Sequence, residues 1–305
     1  MRQAEAYYYT MVLIRRTEET FLDLFSKGLL NGTVHTCIGQ EACSVGVMQA
    51  LDRDRDVIFA SHRAHGHYLA YSDDLEGLIA EVMGKSKGVC GGVGGSQHLH
   101  KGNFYTNGVQ GGIVPCATGA ALAEKMRGGN AIVTVFLGDG TMGEGVVYEC
   151  LNIAALWKLP MLFVLEDNRY AQTTPKELAH AGSLAERARP FGIRSRSIVA
   201  SDVFAVASAA TEAVEFVRQK REPYFLHLET YRFSPHSKGD DFRAPAEIER
   251  YRERDPLGAL SLQVEAEKAS LMRSDVEKRI TDTVTYLSKS APLDERMLER
   301  ILDLA

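Results

Sequence analysis

No Cys-x-x-Cys pair occurs among the five cysteines of this chain, Cys37, Cys43, Cys90, Cys116 and Cys150. Their odd number and wide spacing argue against a disulfide framework and against a zinc knuckle. Such usage fits a reducing cytoplasm. Long hydrophobic runs are also missing: in the opening stretch MRQAEAYYYTMVLIRRTEE charges interrupt every apolar segment, so neither a signal peptide nor a membrane span is expected there. Nor is there a block of like charge. The net charge of -5 is spread through mixed Lys/Arg and Asp/Glu, which removes nucleic acid and anionic membrane as expected partners. What the chain does have is 45% hydrophobic residues over 305 positions, enough for one large core. A small molecule or another protein is the expected partner.

Residues 4 to 27 read as an amphipathic helix with Tyr8, Met11, Val12, Leu22 and Phe25 on its apolar side and Arg15 and Glu19 on the other. This pattern predicts an outer or interface helix. From 28 to 130 helical stretches (40 to 51, 75 to 84, 116 to 127) alternate with long glycine-rich loops, KGVCGGVGGSQHLH at 87 to 100 and NGVQGGIVP at 107 to 115. Loops of that length are usually functional or disordered. The centre reads as a βαβ unit: a buried strand from Ala131 to Leu137, a glycine turn, a helix from about Gly145 to Leu156, and a second buried strand from Met161 to Leu165. A further strand at 196 to 199, a helix at 202 to 219 and a strand from Tyr224 to Thr230 extend it. The expected fold class is α/β, a doubly wound parallel sheet. One domain should span 1 to 245, and the charged stretch 246 to 305 should form a C-terminal helical appendage rather than a separate domain.

The first central strand runs into Gly138-Asp139-Gly140, which puts a carboxylate at the carboxyl end of a parallel strand, where open α/β sheets bind ligands. The second ends in Glu166-Asp167-Asn168-Arg169-Tyr170, so an amide oxygen follows the aspartate by 29 positions at a neighbouring strand end. One Asp and one Asn do not make a metal cage. Mg²⁺, however, takes one or two protein oxygens and completes its shell with phosphate and water, so the missing ligands point to a diphosphate. The N-terminus of the following helix can face that anion. Gly-Asp-Gly alone is equally the turn of any strand-loop-helix unit.

With Asn168 at this distance, the pair resembles a thiamine-diphosphate and magnesium motif. GQEACSVGV (39 to 47), HRAHG (62 to 66), GGVGGSQHL (91 to 99), NFYTNGVQGGIVP (103 to 115), NIAALWKLP (152 to 160), EDNRYAQTTP (166 to 175) and ETYRFSPHSKGDD (229 to 241) resemble, in order, alpha subunits of the first component of 2-oxo acid dehydrogenases, pyruvate or acetoin type. The likeness runs over about residues 5 to 245. It implies a chain that decarboxylates a 2-oxo acid through the C2 ylide of thiamine diphosphate and passes the acyl unit to a lipoyl carrier. Asp139 and Asn168 would ligate Mg²⁺ through side chains and Tyr170 through its carbonyl. Gly140, Thr141 and Arg63 would hold the diphosphate, the last as a charged fork. His62 stands beside Arg63 where many relatives carry Tyr. Gly108, Val109 and Gln110 match the loop that meets the aminopyrimidine ring, glycine permitting the close approach. His35, His65 and His236 match substrate-facing histidines, with His236 also near the cofactor and assigned to acyl transfer and substrate orientation. The carboxylate that activates the aminopyrimidine has no place on this chain. The resemblance assigns it to a beta subunit in an α2β2 heterotetramer, with the N-terminal helix among the contacts.

Several rival readings bear on the same residues. His62, His65, His67, His98 and His100 lie close in sequence, as zinc ligands would, but no His-Glu-x-x-His or cysteine pair accompanies them; His98 and His100 read as loop residues near the cofactor. Gly143-Glu144-Gly145 is reminiscent of a split transketolase or acyloin-forming carboligase, although 229 to 241 and HRAHG look dehydrogenase-like. A catalytically inert assembly subunit is disfavoured by retention of Arg63, Asp139, Asn168 and His236. An NAD-binding oxidoreductase is disfavoured because GGVGG follows no clear strand. Ser237 falls where some relatives are phosphorylated and reads here as unmodified. Lys238 stands where an apolar residue is common, either to meet a carboxylate or as a solvated loop lysine. Pyruvate is the default substrate, with acetoin or a specialised 2-oxo acid open.

Overall fold

The computed structural model describes residues 3–294 except 31, 238 and 240, together with 296 and 299. Its frame is a seven-stranded sheet built from β1 (Val57–Ala60), β2 (His100–Lys101), β3 (Phe104–Thr106), β4 (Val133–Gly138), β5 (Met161–Asp167), β8 (Arg194–Val199) and β9 (Tyr224–Glu229), with a small hairpin of β6 (Tyr170–Ala171) and β7 (Thr174–Pro175) beside it. The order is β2-β3-β1-β4-β5-β9-β8, and every pair is parallel except β2 with β3. β5 is buried along its whole length, and β4 up to its last residue. Their near-continuous apolar runs are what a strand covered on both faces requires.

Two apolar layers result. On one face β4 and β5 present Val133, Val135, Leu137, Phe163 and Leu165 to the helices Ile113–Arg127 and Gly145–Leu156. On the other Phe136, Leu162 and Val164 meet the larger core formed with Glu41–Met48, Val203–Lys220 and the N-terminal helix. The helix Val203–Lys220 begins where Asp202 accepts the Phe204 N–H and ends at Arg221 in the left-handed region.

The helix Gln3–Ser26 is amphipathic as its pattern predicts, with Arg16, Glu19 and Asp23 at the surface and its apolar side turned inward. Tyr7, Tyr8, Met11, Leu13, Ile14 and Phe21 are all buried, and its apolar surface is covered by this chain's own helices, notably Ala266–Ser288. That surface is therefore not left over for a partner subunit. Of the charges read on its polar side, Arg15 is drawn inward, gripping Glu41 with two hydrogen bonds and reaching Asp255, whereas Glu19 stays at the surface paired with Arg16; the neighbouring Glu18 is buried on His65. From Pro245 the chain forms the helices Pro245–Arg252, Pro256–Ser261 and Ala266–Ser288, and Val276, Ile280 and Leu287 of the last join the main core. No described helix is long and apolar enough to cross a membrane. All five cysteines are free thiols.

The chain leaves β1 to one side for β3 and returns to the other side for β4. This makes the crevice between β1 and β4 a switch point, the place where open α/β sheets take ligands at their carboxyl edge.

Candidate active site

Four loops leave that edge next to one another. β1 runs into Ser61-His62-Arg63, β3 into Asn107-Gly108-Val109-Gln110, β4 into Asp139-Gly140 and β5 into Asn168. Together with Tyr170 on β6, His35, Gln97 and His236 they line a cavity of about 490 Å³.

Asp139 opens a single 3-10 turn, Gly140–Gly143, before the helix that starts at Gly145, so this turn separates the carboxylate from the helix. One carboxylate oxygen accepts the Gly140 N–H at 2.9 Å, and the other, Oδ2, is buried with no partner among the described residues. Burial, and then the negative charge of Asp167, raise the Asp139 pKa to about 6. Such an atom is costly unless a cation or donor meets it. The buried Asn168 accepts the Tyr170 N–H through Oδ1, and the left-handed Arg169 (φ 74) between them turns β5 into the hairpin. A Cβ on Gly140 would lie 2.8 Å from the Ala171 side chain, so glycine is needed there. Asp167, adjacent to Asn168, faces away onto His227 and Lys176. An oxygen donor set with one unmatched buried carboxylate atom fits a hard divalent cation.

Arg63 is buried. It donates from Nη1 to the Thr36 carbonyl at 2.6 Å and from Nη2 to Nδ1 of His236 at 3.2 Å. Guanidinium cannot accept, so His236 must present a lone pair at Nδ1, and the neutral ring carries its proton on Nε2. His35, His62 and His236 cluster with ring centroids 4.7 Å, 4.8 Å and 5.6 Å apart. Gln97 lies 3.3 Å from Nδ1 of His35, and Gln110 bridges His62 Nδ1 to the hydroxyl of the buried Thr141. Burial, then the charge of Arg63, with His35, His236 and Arg232 behind them, push the His62 pKa down to about 2, so that ring is neutral.

Among the described residues only His35, His62 and His236 bring ring nitrogens close enough to share a metal ion. Arg63 and Arg232 set a positive potential there, and Arg63 already occupies His236 Nδ1, so the spot suits an anion or a neutral polar group better than a cation. The sequence-adjacent histidines disperse instead. His67 bonds Glu166 at 3.1 Å, His100 stacks on Tyr105, and His98 is exposed. Neither His98 nor His100 lines the cavity.

His65, expected to face substrate, lies behind the wall rather than on it. It is fully buried, with Nδ1 2.9 Å from Glu18 and Nε2 2.9 Å from the Ser96 hydroxyl. Burial raises the Glu18 pKa, but pairing with His65 and the N–H of Cys37 outweigh it and hold the carboxyl below its usual range. Val109 is 64% exposed and does not line the cavity, whereas its neighbours Gly108 and Gln110 do. Ser237 is half-buried, and Lys238 lies outside the described residues. Sequence reasoning missed Gln40, Gln97, Glu166, Gln172 and Thr174 on the lining. All five sit inside motifs that had drawn notice for other residues, and that adjacency was the available signal.

Residues 9–291 match the family described as Dehydrogenase E1 component. The chain belongs to that family. The alpha subunit of the pyruvate dehydrogenase E1 component of Zymomonas mobilis is 38% identical over 97% of this chain and 87% of its own length. The alpha subunit of the acetoin:2,6-dichlorophenolindophenol oxidoreductase of Bacillus subtilis is 37% identical over 91% of this chain and 85% of its own. A pyruvate dehydrogenase E1 alpha subunit from Rhizobium meliloti is 39% identical over 82% and 74%. Family membership and the parallel sheet agree, and this is an enzyme chain of the E1 class.

Proposed function

We propose that this chain is the alpha subunit of a thiamine-diphosphate- and Mg²⁺-dependent 2-oxo acid dehydrogenase of the pyruvate or acetoin type. The observation that carries the reading is the convergence of Asp139, with its unmatched buried oxygen, Asn168 and Arg63 on one cavity at the switch point of the sheet. Asp139, Asn168 and the carbonyl of Tyr170 would hold the metal, and Gly140, Thr141 and Arg63 the diphosphate. His62, Gly108 and Gln110 would surround the rest of the cofactor, which supplies the electron sink for decarboxylation when bound, while Val109, off the lining, is not part of that wall.

The chain's own groups do the remaining work. Arg63 keeps His236 neutral with an N–H at Nε2, a donor suited to negative charge developing on a substrate oxygen. His236 with His35 would orient the substrate and serve acyl transfer. Glu18 and His65 fix the Gly-rich loop through Ser96 and so position Gln97 at the wall. A beta subunit supplying the activating glutamate, an α2β2 assembly, a lipoyl-bearing acyltransferase as acceptor and a cytoplasmic location complete the proposal.

Co-expression with a beta-type E1 subunit, and assay of a 2-oxo acid panel with thiamine diphosphate, Mg²⁺ and an artificial electron acceptor, tests it. Turnover should need both chains and vanish in Asp139→Ala. Cofactor binding without decarboxylation, together with reaction of acyloins or ketoses, would replace this reading with the carboligase or transketolase one. An assembled pair inert toward every substrate would point to an assembly subunit.

A further inference from the structure

Tyr170 lines the cavity, yet its ring packs against the small satellite core of Ile38, Tyr231 and Phe233. It follows Asn168 by two positions, with the left-handed Arg169 between them, and its N–H is engaged by Asn168 Oδ1 at 3.2 Å. Across the hairpin its partner is Pro175, which has no N–H, so the β6–β7 ladder cannot take up the Tyr170 carbonyl. The next N–H along, that of Lys176, goes to the Arg169 carbonyl at 2.9 Å instead. The hairpin therefore leaves undirected the one carbonyl proposed as a metal ligand.

A different part of the chain holds this residue. The Tyr170 hydroxyl donates to the Glu247 carboxylate, 2.9 Å and 3.0 Å from its two oxygens, and Glu247 also accepts the Tyr231 hydroxyl at 3.0 Å. The Arg243 guanidinium lies over both rings, 5.5 Å from the centre of Tyr170 and 5.1 Å from that of Tyr231. Tyr231 in turn stacks on Tyr251, with ring centres 3.9 Å apart and planes 5° from parallel. Glu247 and Tyr251 both belong to the helix Pro245–Arg252, at the start of the stretch whose charge pattern reads as an appendage. Glu247 itself does not line the cavity.

We infer that Glu247 is a positioning residue for the metal site: by holding the Tyr170 ring through its hydroxyl, it aims the Tyr170 carbonyl at the ion that Asp139 and Asn168 would share. The inference rests on the reading of this cavity as a Mg²⁺ and thiamine diphosphate site and extends that site to a helix outside the cavity. Its signature lies in the choice of ion. Mg²⁺ demands near-ideal octahedral geometry at short distances, whereas Ca²⁺ accepts longer and irregular ones, so a carbonyl that loses its anchor weakens Mg²⁺ more than Ca²⁺.

The test uses the assembled alpha–beta protein stripped of metal, in excess thiamine diphosphate, titrated in a calorimeter with Mg²⁺ and separately with Ca²⁺. Tyr170→Phe removes the hydroxyl and keeps the ring and the carbonyl. Glu247→Gln keeps the shape and removes the charge that two hydroxyls share, and it stands as an independent probe should the first variant not assemble. Each should weaken Mg²⁺ roughly 10-fold, the low end of what one hydrogen bond to a charged group is worth, and Ca²⁺ distinctly less. A merely structural role would lower the urea midpoint of the metal-free protein and leave the ratio of the two affinities as in wild type. That outcome, or an equal fall for both ions, overturns the inference and leaves the cofactor reading standing. Wild-type protein that takes up neither ion with thiamine diphosphate present removes the cofactor reading and this inference with it.

Discussion

Asp139→Asn should separate stability from function at one atom. The Asp139 carboxyl is buried beside Asp167, and its pKa stands at about 6 against an ordinary 3.8. Between those values an unfolded chain has lost this proton while the folded one still holds it, so cofactor-free protein loses stability as pH rises through the window. By pH 8 the loss from this group is about 3 kcal/mol. Asparagine is nearly isosteric, keeps an oxygen for the Gly140 N–H and carries no charge. Without cofactor, the variant should therefore melt above wild type at pH 8, by roughly 5 °C in a chain of this size. The gap should shrink to about a third at pH 4.5 and close toward pH 3, where the wild-type carboxyl is protonated in both states. Adding Mg²⁺ and thiamine diphosphate should raise the wild-type midpoint and leave the variant unmoved, because mass action stabilises only a form that binds. Thermal denaturation of the alpha–beta assembly, followed by circular dichroism at both pH values with and without cofactor, measures all four quantities. A variant no more stable than wild type at pH 8, or one stabilised by cofactor as wild type is, would refute the account of this site.

Three other substitutions test the supports of the cavity. Glu81 accepts N–H bonds from Cys90, Gly92, Gly94 and Gly95, and Glu81→Gln turns one acceptor into a donor facing two N–H groups. It should cost about 2 kcal/mol, and amide exchange over 90 to 95 should rise by roughly the matching 30-fold. Arg15→Ala leaves Glu41 buried without its bidentate partner and should lower stability by about 3–5 kcal/mol, read from the urea midpoint at constant m. Glu18→Gln removes the charge that holds His65 and should cost about 3 kcal/mol. It should also lower kcat while the thiamine diphosphate affinity, measured by tryptophan fluorescence, stays within a few-fold, because neither residue lines the cavity.

How far the sequence discloses this molecule depends on whether the relevant force is local. The unit from Val133 to Asp167 was legible because two strands buried on both faces must be apolar throughout, and the helix Gly145–Leu156 falls on its expected bounds. β1 was missed: four residues, VIFA, behind the charged run DRDRD give too short a period to register, and only pairing with β3 and β4 makes them a strand. Arg15 of the N-terminal helix was misplaced on the solvated side because a buried ion pair and a solvated face look alike in sequence. Arg15 and Glu18 become interior residues only when Glu41 and His65 arrive from elsewhere. The placement of His65 has the same cause. Its motif fixes its neighbourhood, but Glu18, 47 positions away, turns the ring away from the cavity.

The same distinction explains why the ends of the cavity were unequally visible. The end proposed for metal and diphosphate is built from residues at the tips of β4 and β5, so strand ends and loop motifs locate it directly. The other end is assembled from His35, His62, Gln97 and His236, four segments that meet only in the folded chain, and its properties belong to the group rather than to any member. Arg63 ties the two ends together. With one amino group on the Thr36 carbonyl and another on His236 Nδ1, it would set the diphosphate's countercharge against the ring proposed to face substrate, and its charge helps keep His62 neutral. A lysine could supply the charge but not the planar fork that reaches two acceptors in fixed directions. The tautomer of His236 and the neutrality of His62 thus both depend on the residue that the sequence marks for the diphosphate, which is why a polar substrate and an anionic cofactor can be served by one buried cation.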